Sequence, residues 1–374
     1  MKLFKSLLVA PATLGLLAPL SATANEITVN DFNPAKEIIS TNNPLLAGGE
    51  GLVDNYSPDG GFSETTTASF SVDAVIGAID GDTASEAVFF EYQYNIGLST
   101  SFTGEDSLDV AIDSGSNVAS TADNPMALDT GSALSVDGVT YSFPFGAVSM
   151  TVGNDTDISA SFTGACSYSA FTDYMGDCGT GNTLGVGGNG VTATGGYAFD
   201  SGFSLAAGIS STTATVDDAG DTVTPGILTK EGADILGIEA AYTADSFGVA
   251  VAYVSTDNGL DEESSGWGIN ATYSFDETSL PTISVGYETV DAGGTSNGYF
   301  VGLTWPEVGP GSVSVGAATD GNFADGDQEL MTYEASYSYP VNDSLTITPG
   351  VYIAETAAAA DDITGILVKS SFSF

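Results

Sequence analysis

The sequence predicts an all-β protein: a closed antiparallel transmembrane β-barrel of sixteen strands, with short turns at one end and long loops at the other. Three observations predict it. Apolar and polar residues alternate with a period of two in run after run from Phe62 to Phe374, the pattern of a strand with one dry and one wet face. Tight connections ("TGED", "FG", "FDSG", "TADS") alternate with long polar ones at 114–132, 154–188 and 212–232, as outer-membrane barrels do. An export segment opens the chain, yet no later apolar run approaches the roughly 20 residues of a membrane helix.

The first element is that export segment. Lys2 and Lys5 precede an apolar stretch from Leu7 to Leu20, and Ala22-Thr23-Ala24 follows, which is the layout of a signal peptide cleaved after Ala24. Residues 25–61 are polar, Gly- and Asn-rich, and read as a periplasmic extension or linker. The barrel is expected over 62–374. Its strands are placed at 66–79, 86–102, 106–113, 133–145, 146–153, 189–199, 202–211, 233–243, 246–255, 265–275, 281–289, 297–305, 311–318, 330–339, 344–354 and 363–374.

The two faces differ in chemistry. One carries Val, Ile, Leu and Ala, with Tyr, Trp and Phe toward the strand ends, as an aromatic girdle requires. The other carries Gly, Ser and Thr with Asp73, Glu91, Glu239, Glu288 and Glu334, which are expected to line a water-filled lumen. An open sheet in lipid would leave backbone groups unpaired, so the last strand must meet the first. The competing architecture is a soluble β-sandwich or solenoid, as in an exported acidic adhesin or surface protein.

The C-terminal strand alternates apolar residues and stops on Phe374. It resembles the insertion signal of bacterial outer-membrane proteins, with Phe372 and Phe374 as its signal residues and the barrel-insertion machinery as the implied partner. The stretches "MKLFKSLLVAPATLGLLAP", "GGFSETTTASFSVDAVIGAID" and "YSFPFGAVSMTVGN" resemble the cyanobacterial outer-membrane porins. That group is related to the carbohydrate-selective porins and is also labelled iron-uptake porins. The resemblance implies a bacterial outer-membrane location, a sixteen-stranded channel in lipid, a homotrimer, and passage of small hydrophilic solutes; the scarcity of basic residues adds an expected preference for cations. A carbohydrate- or iron-selective porin is the alternative it offers. The family's surface-layer homology domain has no room in 25–61, so wall anchoring is not carried over.

Composition narrows the chemistry. The chain has 49 acids against five lysines, no Arg and no His, and a net charge of −44. Nucleic-acid binding needs clustered basic residues and is excluded. With 42% apolar residues the chain is also too hydrophobic for an acidic disordered segment. Without His, the usual Ser-His-Asp triad cannot form, and carboxylate pairs are uninformative among so many acids. No enzyme activity and no cofactor or metal are expected. "GVGGNG" at 185–190 lacks a following helix and is not a dinucleotide site.

Two cysteines, Cys166 and Cys178, lie in one Tyr-rich stretch and in an exported protein read as a disulfide. They sit in 154–188, the loop expected to fold inward and narrow the pore. Its Asp155, Asp157, Asp173 and Asp177 form the expected cation-selecting constriction. Tyr168, Phe171 and Tyr174 offer either stacking surfaces for sugars or packing of the loop on the wall.

Overall fold

The computed structural model describes residues 66–374, apart from 82–87, most of 117–130, 189, most of 212–231, 258–262, 278, 325 and 358–360. The expected signal peptide and extension, with Lys36, lie outside the described residues, as does Lys230.

Among the described residues nineteen strands form in chain order. They are β1 (Thr66–Asp80), β2 (Val88–Thr100), β3 (Ser107–Gly115), β4 (Ser135–Phe145), β5 (Val148–Asn154), β6 (Val191–Ala198), β7 (Phe203–Ser211), β8 (Thr215–Val216), β9 (Thr222–Pro225) and β10 (Gly232–Thr243). There follow β11 (Phe247–Asp257), β12 (Glu263–Tyr273), β13 (Thr282–Asp291), β14 (Thr295–Val308), β15 (Gly311–Thr319), β16 (Phe323–Ala324), β17 (Met331–Asn342), β18 (Leu345–Ala354) and β19 (Ile363–Ser373). The two-residue β8 and β16 and the four-residue β9 belong to the connections. The remaining sixteen are the staves, each paired antiparallel with its neighbours. They coincide with the sixteen expected runs to within three residues at every end.

The ring closes between β1 and β19, from Ser71 opposite Ser373 to Asp80 opposite Thr364. Beyond that ladder Phe374 N–H donates to Phe70 O at 3.0 Å, and Phe70 N–H donates to Phe374 O at 2.8 Å. The two rings stack with centroids 6.0 Å apart. A soluble sandwich has no such closing pair, and this one removes the sheet edges.

The outer face is apolar. Phe90, Leu205, Ile238, Val251, Ile269, Val301, Val351 and Ile366 are all exposed there, as a lipid-facing surface demands. Aromatic pairs ring both ends: Phe203–Tyr242 and Tyr273–Phe275 near the tight turns, Tyr253–Trp267 and Phe90–Tyr92 near the other rim. One of the tight turns, 101–106, is held by Asp106. It accepts from Tyr141 OH at 2.7 Å, from Ser101 Oγ, and from Thr103 N and Oγ1. These bonds, the one from Tyr141 foremost, hold its carboxyl well below the usual carboxylate range.

Two expectations need correction. The alternation of short and long connections fades after β11, because 292–294 is a three-residue link at the long-loop end while 274–281 runs to eight residues at the other. The inner face is also not uniformly polar. Val75, Ile79, Phe300, Tyr352 and Leu367 are buried inside the barrel, since the long connection between β5 and β6, with Leu128 of the connection between β3 and β4, gives them a dry surface to meet.

Candidate functional site

That connection, 155–190 (L3), lies within the barrel. It carries two short 3-10 turns, Ile158–Ser161 and Asp173–Gly179. One limb runs along the inner wall from β6 to β19, and the second returns over β15 to β7. Four apolar clusters mark its path. Ile158 and Val186 pack with Val254; Ala165 and Leu184 with Ala241, Ala250 and Ala252; Tyr168, Met175 and Cys178 with Phe300 and Ala318; Phe171 with Val75, Tyr352 and Leu367. Among the described residues the apolar core is this seam between L3 and the wall, joined in the Phe171 cluster by Leu128 of the connection between β3 and β4. Tyr168 meets Phe300 edge-on at 5.0 Å, so Tyr168 and Phe171 pack the loop against the wall. Burial and the Glu334 charge push the Tyr168 hydroxyl well above its ordinary value.

Three inner-wall glutamates hold the loop. Glu334 of β17 accepts Tyr168 OH (2.9 Å), Phe171 N (2.8 Å), Thr172 N (2.8 Å) and Thr172 Oγ1 (2.6 Å). Glu239 of β10 accepts Thr163 N at 2.8 Å and Gly164 N at 2.7 Å. Glu288 of β13 accepts Asn182 N and Thr183 Oγ1, both at 3.1 Å, and the Asn182 side-chain amide. All three are at most 4% exposed. They lie on the inner face of the wall. What they meet is loop backbone, because a carboxylate taking several N–H and O–H groups replaces its hydration shell with donors of fixed geometry.

The wall makes room with glycine. A Cβ at Gly286 would strike the Cys178 carbonyl oxygen, and one at Gly350 the Phe171 ring. Cys166 and Cys178 are disulfide-bonded, with Cα atoms 5.8 Å apart. Closing a loop of that size contributes about 3 kcal/mol in the chain-entropy account. The bridge joins the two limbs of L3 where Asp177 and Cys178 adopt φ of 51° and 53°.

The four L3 aspartates do not share one environment. Asp155, at φ 52°, stands beside the end of β5. Asp173 opens the second 3-10 turn. Burial pushes the Asp157 carboxyl up to about 7, aided by the charges of Asp177 and Asp137 and opposed by the Gly188 N–H. Burial also pushes Asp177 up. The sign of the resulting pH dependence follows. With its docked value raised from about 4, Asp157 favours the packed loop fully below pH 4, and that contribution is lost as pH rises through 7. With the intrinsic rise of exchange with pH divided out, protection of 158–188 should therefore fall between pH 4 and 7, by on the order of 1–2 kcal/mol after solvent screening. Asp157→Asn should flatten the profile; an unchanged slope would place the titrating group elsewhere.

Away from L3, the inner faces of β2 to β5 carry Asn95, Ser99, Asp109, Thr140, Ser142 and Thr151, all partly exposed. Asp73 of β1 and Asp113 of β3 are on the same polar side, opposite Gln93 and Asn95 of β2. Asp109 and Asp113 were not singled out by the sequence reading; their period-two spacing on β3 was the available signal. Glu91 is inward and 4% exposed. Phe372 faces outward, and Phe374 lies at the closing seam.

Comparison with curated proteins finds no sequence match. The barrel is similar to several solved porin structures. Pseudomonas putida OprB, solved at high pH, shares 14% identity at a TM-score of 0.63, covering 83% of this chain and 94% of its own. An anion-selective porin from Comamonas acidovorans shares 13% at 0.59, covering 83% and 99%. A loop-L8 deletion mutant of OmpT from Vibrio cholerae shares 10% at 0.56, covering 83% and 100%. At such identities the likeness concerns the fold. Sequence carries the assignment further: residues 65–356 match the model of the Gram-negative porin family. With a closed sixteen-stave barrel, a lipid-compatible exterior and a loop folded into the lumen, the chain belongs to that family of outer-membrane channels.

Proposed function

We propose that this porin lets small polar solutes diffuse passively between L3 and the β2–β5 wall, and that it prefers cations. The observation that carries the preference is the charge inventory. Lys369 is the single basic side chain among the described residues, while Asp73, Asp109 and Asp113 stand on the polar inner face. A lumen of one sign in low-dielectric walls concentrates counter-ions. Asp155, Asp157, Asp173 and Asp177 add to that field from the loop, with Asp157 and Asp177 contributing least because burial draws them toward neutrality. The anion selectivity of the Comamonas relative is not carried over, since the fold alone is shared. The cyanobacterial affinity and a carbohydrate or iron specificity rest on the resemblance of the quoted stretches; burial of Tyr168 and Phe171 speaks against a sugar platform at those two rings.

The test is the reversal potential of the purified protein in a planar bilayer under a KCl gradient. It should lie close to the cation limit and move toward zero in an Asp73→Asn/Asp109→Asn/Asp113→Asn variant. A reversal at zero or on the anion side in the unaltered protein overturns the preference and keeps the channel. Silence in the bilayer overturns the channel itself.

A further inference from the structure

The inner face of β2 carries two buried side chains whose acceptor atoms have no hydrogen-bond partner: Glu91 Oε2 and Gln93 Oε1. They are 4% and 1% exposed. A buried acceptor left without a donor costs about 1–3 kcal/mol, and more when charged, so two on adjacent inward positions of one strand demand a reason. Gln93 turns its amide N–H toward Asn95 Oδ1 at 3.4 Å, which leaves its carbonyl oxygen on the other side. The neighbouring rungs deepen the negative potential. Asp73 is opposite Gln93, and Asp113 is opposite Asn95. Each already accepts a serine hydroxyl, from Ser371 at 2.5 Å and from Ser135 at 3.1 Å.

We propose that Glu91 and Gln93 form a binding step for a monovalent cation in transit through the lumen. A carboxylate oxygen and an amide oxygen, completed by water, suit a hard cation. A divalent cage is not the reading, because among the described residues no three acidic side chains come together as a metal site. The rival occupant is internal. Val75 of β1 pairs with Glu91 on one side and with Lys369 of β19 on the other, which puts the lysine two strands from Glu91, roughly 10 Å between backbones. This inference rests on the cation-preferring reading above and gives it a location.

The experiment is single-channel conductance of the full-length protein as a function of KCl concentration. A binding step makes conductance saturate. Glu91→Gln removes the charge at constant shape and should raise the half-saturating KCl concentration about tenfold; the reversal potential should stay on the cation side, since Asp73 and Asp113 remain. Gln93→Leu, which keeps the carboxylate, should shift saturation in the same direction and serves if the first variant does not assemble. Saturation unchanged in both variants, in a channel that is still cation-selective, overturns the site and leaves the proposed function standing. Linear conductance in the unaltered protein that saturates only after Lys369→Met also overturns it, by showing that the lysine fills the place. A silent unaltered protein removes both readings.

Discussion

Replacing Glu334 with alanine is expected to release the tip of L3 from the barrel wall. Four donors, from Tyr168, Phe171 and Thr172, converge on this one carboxylate. Without it they are left buried and unpaired, a cost of about 3–5 kcal/mol to loop docking. The sixteen-stave ladder does not depend on that contact, so the barrel itself should persist, with an unchanged β-sheet circular-dichroism spectrum. The effect belongs to the lumen. Amides of 163–172 should exchange at least a hundredfold faster, and single-channel current should become larger and noisier. Glu334→Gln should recover only part of the effect, because the amide presents one acceptor oxygen where four donors arrive. If exchange and current match the unaltered protein, the loop is held by its apolar seam alone.

The second large effect is steric and comes from the wall. Gly286→Leu puts a side chain where the Cys178 carbonyl oxygen now lies. Neither partner can yield easily: Gly286 is within the β12–β13–β14 ladder, paired to Asn270 and Phe300, and Cys178 is tied to Cys166. Overpacking of this kind costs about 1–3 kcal/mol and more where backbone must shift. The disulfide-bearing tip of L3 should move into the lumen, lowering conductance, in contrast to the rise expected for Glu334→Ala. Gly294→Leu provides the control, since a Cβ at Gly294 meets nothing within 4 Å. Equal conductance in the two leucine variants would mean that L3 is free to retreat from the wall.

Both results turn on the seam between L3 and the wall, and this seam was only half legible in the sequence. Glu239, Glu288 and Glu334 could be assigned to the inward face because side chains on a strand alternate strictly. Their partners could not be read. Thr172 is 162 residues from Glu334 in the chain, and Asn182 is 106 from Glu288, and nothing local in either segment encodes the pairing. Leu367 alternates onto the same side of the last strand as Lys369 and Ser371, and in the barrel it is fully buried beneath the Phe171 tip of L3. The inward glycines looked like generic small lumen residues, whereas Gly286 and Gly350 mark where a loop passes too close for any Cβ.

What the sequence by itself determined is the barrel: sixteen staves, which face meets lipid, and a closing pair at the C-terminus. These follow from period-two alternation, turn residues and the need to pair every backbone group in lipid, all of which are local or global constraints written along the chain. What only the tertiary structure decided is the lumen. The path of L3 and the conversion of three glutamates from water-facing charges into loop anchors depend on contacts between segments 75 to 166 residues apart. Those contacts exist only once the ring has closed and brought opposite walls to within a loop's reach.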